Sequence, residues 1–138
     1  MGLDTTHDCW SGAYSAFKRW RDQIAETAGY TFFVADGEYM TSVKEINWAA
    51  LDDKNYAGEW DRIPEDPLIM LLAHSDCDGV IHPEHARLIA DRLEWLLPRL
   101  PMTEAVGHIG RLGWQGTTER FINGLRAAVQ AGEDVEFG

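Results

Sequence analysis

Residues 68–98 read LIMLLAHSDCDGVIHPEHARLIADRLEWLLP, and the two ends of this stretch decide the fold class. In its second half, Ala86, Ile89, Ala90, Leu93, Leu96 and Leu97, continued by Leu100, recur at three- and four-residue steps and line one face of a helix. Pro83 suits a first helical turn, His82 beside it is a candidate cap, and Pro98 marks the end. In its first half, Leu68–Leu72 is continuously apolar, a pattern shared by a fully buried strand and a short buried helix. Between them, His74–Ile81 reads as a polar turn.

Working outward, Trp10, Ala13, Tyr14, Phe17, Trp20 and Ile24 make a second helical stripe, with Lys18, Arg19, Arg21 and Asp22 on other faces. Thr5 or Thr6 can cap it and Gly29 can stop it, which predicts a helix over Thr6–Thr27. A third stripe, Phe121, Ile122, Leu125, Ala128 and Val129, predicts a last helix with Thr117 as candidate cap and Gly132 as stop. The middle is less regular. Tyr30–Val34 is β-prone and ends at the turn pair Asp36-Gly37, Thr41–Leu51 carries a weak helical spacing, and residues 58–67 read as a connector. Aromatics in this loop-rich stretch either cover a core edge or close over a pocket. The expected fold is mainly α, with α+β as the variant: one compact domain of about three main helices and at most a small sheet.

At 138 residues the chain is long enough for a single core. Twelve Lys and Arg against 23 Asp and Glu give a formal charge of −11, which excludes bulk binding to nucleic acid or anionic membrane. No charged, then apolar, N-terminal run marks a signal peptide, and Leu68–Ala73 is far too short to span a bilayer. Met1, Gly2 and Thr6 fit a myristoylation pattern, without a second lipid signal to accompany it. Cys9 and Cys77, far apart and outside any Cys-x-x-Cys pair, point to a reduced intracellular protein.

Candidate chemistry concentrates at His74-Ser75-Asp76-Cys77-Asp78-Gly79-Val80-Ile81-His82-Pro83-Glu84-His85. Imidazole and carboxylate are ordinary ligands of zinc and manganese, and thiolate suits zinc. Candidate metal ligands are therefore His74, Asp76, Cys77, Asp78 and His85, with His7 (and Cys9) added if the N-terminus lies close. His82 and His85 can share a helix face. Asp76, Asp78, Gly79 and Ile81 also fit four positions of an EF-hand calcium loop, but His74 and His85 replace its two terminal acids, and calcium needs hard oxygen ligands. The same residues read equally well as a tight turn leading into a helix. Asp76 and Asp78 would then bond backbone amides, His74 would be a satisfied buried side chain, and Cys77 a small core residue. Around the glycines 107–116, His108, Arg111 and Trp114, with Arg120, are candidates for an anionic or aromatic ligand, since Arg forks grip phosphate and Trp stacks on bases. No nucleophile elbow, Walker loop or dinucleotide fingerprint occurs.

Two resemblances bear on function. His74-x-Asp76-x-Asp78-Gly79 resembles the first motif of the DHH phosphoesterases, whose His and two Asp hold catalytic manganese; no Asp-His-His triplet follows here, and the match covers about thirty residues. The opening Gly2–Trp10, with Gly12–Ser15 and Arg19–Arg21, resembles small proteins encoded by tailed bacteriophages and prophages of actinobacteria. The His74–Gly79 turn, Leu88–Glu94, Arg120–Leu125 and Val135–Phe137 are also similar to that family. This resemblance implies a phage-derived accessory protein in the host bacterial cytoplasm. Its expected role is non-enzymatic capture of a host small molecule, a nucleotide signal or a host protein. The alternative is a metal-dependent phosphodiester hydrolase in which His74, Asp76 and Asp78 hold a metal that activates water.

Overall fold

The computed structural model describes residues 2–34, 41–102 and 112–138. Three long helices dominate: α1 (Tyr14–Thr27), α4 (Pro83–Leu96) and α5 (Gly113–Ala131). Two short ones, α2 (Asp53–Tyr56) and α3 (Leu68–Leu72), lie between α1 and α4. Three antiparallel two-stranded pairs complete the described fold: β1 (Gly2–Asp4) with β2 (Ser11–Ala13), β3 (Phe32–Val34) with β4 (Thr41–Val43), and β5 (Val80–Ile81) with β6 (Val135–Glu136). The protein is mainly α with small sheets, as its stripes predict. None of the described helices is long and apolar enough to cross a membrane.

The core follows the stripes. Ile89, Ala90, Leu93 and Leu96 of α4 pack with Phe121, Ile122, Leu125 and Ala128 of α5, the largest helix–helix contact described. Phe17 and Trp20 of α1 add an aromatic layer, with the Trp20 and Phe121 rings 4.7 Å apart. Trp20 is fully buried, and its indole N–H donates to Thr118 Oγ1 at 2.9 Å, so its large apolar surface is sequestered without an unpaired donor. The Thr118 hydroxyl donates in turn to the Trp114 carbonyl.

Three sequence expectations are corrected. The first helix begins at Tyr14, not Thr6: His7 and Asp8 adopt left-handed backbone (φ 60° and 58°), and residues 2–13 form the β1–β2 hairpin instead. Trp10 still joins the predicted stripe, because its ring packs on Phe17 at 5.1 Å from outside the helix. Thr41–Leu51 forms β4 and a single 3₁₀ turn, Trp48–Ala50, rather than a helix; Val43 and Ile46 are buried from this irregular backbone. Thr117 lies inside α5, which starts four residues earlier, and is no cap. Of the two readings of Leu68–Leu72, the structure takes the short helix. Asp36-Gly37 lies outside the described residues.

Candidate ligand site

The polar turn starts where α3 ends. His74 is buried, and its ring faces two backbone acceptors: Nδ1 lies 2.7 Å from the Ser75 carbonyl oxygen and Nε2 2.8 Å from that of Val80. Phe137 covers the ring at 4.0 Å between centroids. A neutral imidazole has one N–H, so only the charged form can donate to both carbonyls. Burial opposes that charge and pushes the His74 pKa below its ordinary value, with the two carbonyl bonds acting in the other direction. Gly58 makes the packing tight. Its φ is 97°, and a Cβ built there would overlap the Val80 carbonyl oxygen that His74 faces.

The rest of the turn is organised by Ser75, which sequence reasoning left without a role. Its Oγ accepts from the amides of Cys77 and Asp78, the task expected of Asp76 and Asp78. Cys77 is exposed, which corrects its reading as a core residue. Asp76 is half-buried and Asp78 exposed.

The other predicted ligands are dispersed among separate contacts. His7 Nε2 lies 2.9 Å from Glu133 Oε1 and its Nδ1 3.0 Å from Thr6 Oγ1. Cys9 is buried, as one reading expected, and burial pushes its thiol up to about 12, so it remains protonated. His82 and His85 do share a face, their rings 5.9 Å apart. His85 is buried, which lowers its pKa, whereas His82 is held between Glu59 and Asp134. Trp114 sits in the first turn of α5, packed partly against the core. His108 and Arg111 lie outside the described residues.

The fit of a metal follows from these contacts. Both ring nitrogens of His74 are directed at carbonyl oxygens, so in this arrangement neither presents a lone pair to a cation beside Asp76 and Asp78. Among the described residues, no group of three or more His, Cys, Asp or Glu side chains is arranged to hold a metal ion.

What the structure does bring to His74 is a pocket of about 210 Å³, lined by Lys18, Arg21 and Asp22 of α1, Ser42 and Val43 of β4, Trp48, Leu72 and Ala73. Arg21 is central to it. Its Nη1 donates to the carbonyls of Leu71, Leu72 and His74 at 3.2, 3.4 and 2.5 Å, meeting the negative end of α3. Its guanidinium carbon lies 4.4 Å from the Phe17 ring centroid. Burial lowers the Arg21 pKa to about 10, opposed by Asp76 and then Asp22 acting through space. Lys18 is bridged to Asp22 at 2.7 Å, and Trp48 is fixed by donating from Nε1 to the Val43 carbonyl at 2.9 Å. Lys18, Arg21 and Asp22 were legible only as the polar face of a helix; their spacing shows a shared face, not what lies opposite it.

A second, wider groove of about 490 Å³ runs along the loop-rich middle, with Ile46, Leu51, Trp60, Ile63 and Ile69 among its walls. The aromatic Trp60 thus borders a cavity as well as the core edge, and among the described residues its indole N–H has no partner.

Compared with protein-family models, curated proteins and solved structures, the chain matches none.

Proposed function

We propose that this chain is a non-enzymatic binding protein that holds a small anionic ligand in the Arg21–His74 pocket. The observation that carries the reading is the Arg21 guanidinium. It is sunk against Phe17, uses one nitrogen for three carbonyls, and among the described residues forms no direct ion pair with a carboxylate. A desolvated cation without a paired anion is costly, and an oxyanion entering the pocket would supply that charge. The volume, about 210 Å³, is below the usual range for a drug-sized ligand and suits a phosphate, a carboxylate or one ring of a larger molecule. Trp48 in the wall offers an aromatic surface to such a ring.

A nucleotide-derived host signal combines these features. The resemblance to phage-encoded proteins supports that ligand class and a location in the host bacterial cytoplasm. The hydrolase alternative has no comparable observation in its favour, because His74, its leading metal ligand, has both nitrogens engaged.

The test is calorimetric titration with sulfate, inorganic phosphate, and linear and cyclic nucleotides. At least one should bind saturably and be recovered intact. Ser42→Leu, which fills the pocket from β4 and leaves Arg21 in place, should abolish binding. Absence of saturable binding across the panel, or binding unchanged in Ser42→Leu, would overturn the proposal. Chelator-sensitive turnover of a nucleotide would favour the hydrolase instead.

A further inference from the structure

The end of the chain is fastened by histidines. After α5, Glu133 and Asp134 are adjacent carboxylates. His7 reaches Glu133 from the N-terminal hairpin, and His82 reaches Asp134 from the start of α4, each at 2.9 Å. His82 makes a second carboxylate contact, from Nε2 to Glu59 Oε1 at 2.5 Å. One imidazole therefore joins three parts of the chain: the loop after α2, the N-cap of α4 and the segment leading to β6.

The backbone here is sparse. β5 and β6 pair over only two residues each, Val80 with Glu136 and Ile81 with Val135. Single bonds extend the pairing: Phe137 N–H to the Gly79 carbonyl, Glu136 N–H to Thr6 Oγ1 and Gly138 N–H to the Asp4 carbonyl. A two-stranded ribbon this short has little stability of its own. Side-chain clamps and the burial of Val135 and Phe137 must supply the rest.

We infer that the C-terminal strand is a proton-controlled latch, closed by the His82 imidazolium bridging Glu59 and Asp134 and loosened when that proton leaves. The chemistry is set by the partners. Both are carboxylates, which only accept, so holding both requires an N–H on each ring nitrogen, and that is the charged imidazole. Glu59 and Asp134 hold its two ring nitrogens, the His85 ring lies 5.9 Å away, and Glu133 and Glu84 are the chain neighbours of Asp134 and His85. Four are acids, and His85 is buried, which favours its neutral form. Hydrogen bonds to Asp134 and then Glu59 accordingly raise the His82 pKa. Opening the latch would uncover Phe137 and the face of the His74 ring beneath it.

Amide hydrogen exchange at Val135, Phe137 and Ile81, corrected for intrinsic rates and followed from pH 6 to pH 9, tests the latch on the full chain. Protection should fall several-fold as pH rises in the wild type and lose that dependence in His82→Gln. Should His82→Gln fold poorly, Glu59→Gln and Asp134→Asn each remove one clamp, and both should lower the His82 pKa read from imidazole carbon-bound proton shifts. Protection with the same pH dependence in wild type and His82→Gln would overturn the inference. So would a His82 pKa unmoved by both carboxylate substitutions.

Discussion

His74 and His82 stand at the two ends of one polar turn, and each places both ring nitrogens on oxygen acceptors. The acceptors differ. His74 meets two neutral carbonyls in the interior, where desolvation outweighs the bonds and its pKa falls. His82 meets two carboxylates near the surface, where the bonds outweigh a small desolvation and its pKa rises. Similar ring geometry thus gives opposite proton preferences, because partner charge and depth decide which protonation state is stabilised.

The comparison breaks most severely at Gly58, beside Glu59 of the His82 clamp. At φ 97° an alanine is strained, and its Cβ would collide with the Val80 carbonyl oxygen, which is backbone and cannot step aside. Gly58→Ala should destabilise the fold by about 3 kcal/mol or more and detach both histidines together. Urea unfolding gives the first quantity, and imidazole spectra that drift toward free histidine give the second.

His74→Ala separates the two ends. It leaves the Ser75 and Val80 carbonyls without their imidazole partner, opens space under Phe137, and should cost about 2–4 kcal/mol by urea unfolding at pH 7.5. His82→Ala at the same pH should cost under about 1 kcal/mol, because its ring and both carboxylates are partly solvated. Equal losses would contradict the assignment of one histidine to the core and the other to a surface clamp.

The helices and the density of polar chemistry in residues 74–85 were readable because both depend on local spacing. The N-terminal hairpin was not: residues 6–13 carry helix-compatible spacing, whereas the left-handed backbone at His7 and Asp8 and the close approach of Cys9 to Gly124 on α5 are tertiary features that no local spacing encodes. The partners of each histidine were also hidden. Glu59, Asp134 and Glu133 lie far away in sequence, and no spacing rule links them to His82 or His7. Arg21 was visible as a polar-face residue, but its role depends on where α3 ends, which only the tertiary fold reveals.

Titration sharpens the comparison through its sign. For His82 the folded pKa lies above the unfolded value, so its contribution is complete below about pH 6.5 and is lost as pH rises through the raised folded value. For His74 the folded pKa lies below the unfolded value, so its contribution is complete above about pH 6.5 and is lost as pH falls toward the depressed folded value. Relative to wild type, His82→Gln should therefore lose most stability on the acid side of this range, and a neutral isostere at His74, such as His74→Gln, on the alkaline side. Unfolding free energies at pH 5.5, 6.5, 7.5 and 8.5 distinguish the two. Differences from wild type that change with pH in the same direction for both variants would show that the two rings do not titrate as their partners dictate.

The smallest effect belongs to Asp78. It is exposed, and its charge acts on His74 through space, raising the pKa against the stronger pull of burial. Asp78→Asn removes that charge while keeping the size and shape of the side chain. Stability at pH 7.5 should change by less than about 0.5 kcal/mol, as for other surface positions. The His74 pKa should move further below its ordinary value, and that of His82, held by Glu59 and Asp134, should stay where it is. A loss of fold or a large shift at His82 would mean that Asp78 organises the turn, the part assigned here to Ser75 and its two amide bonds. Imidazole proton shifts followed against pH in both proteins separate these outcomes, because they report each ring rather than the sum.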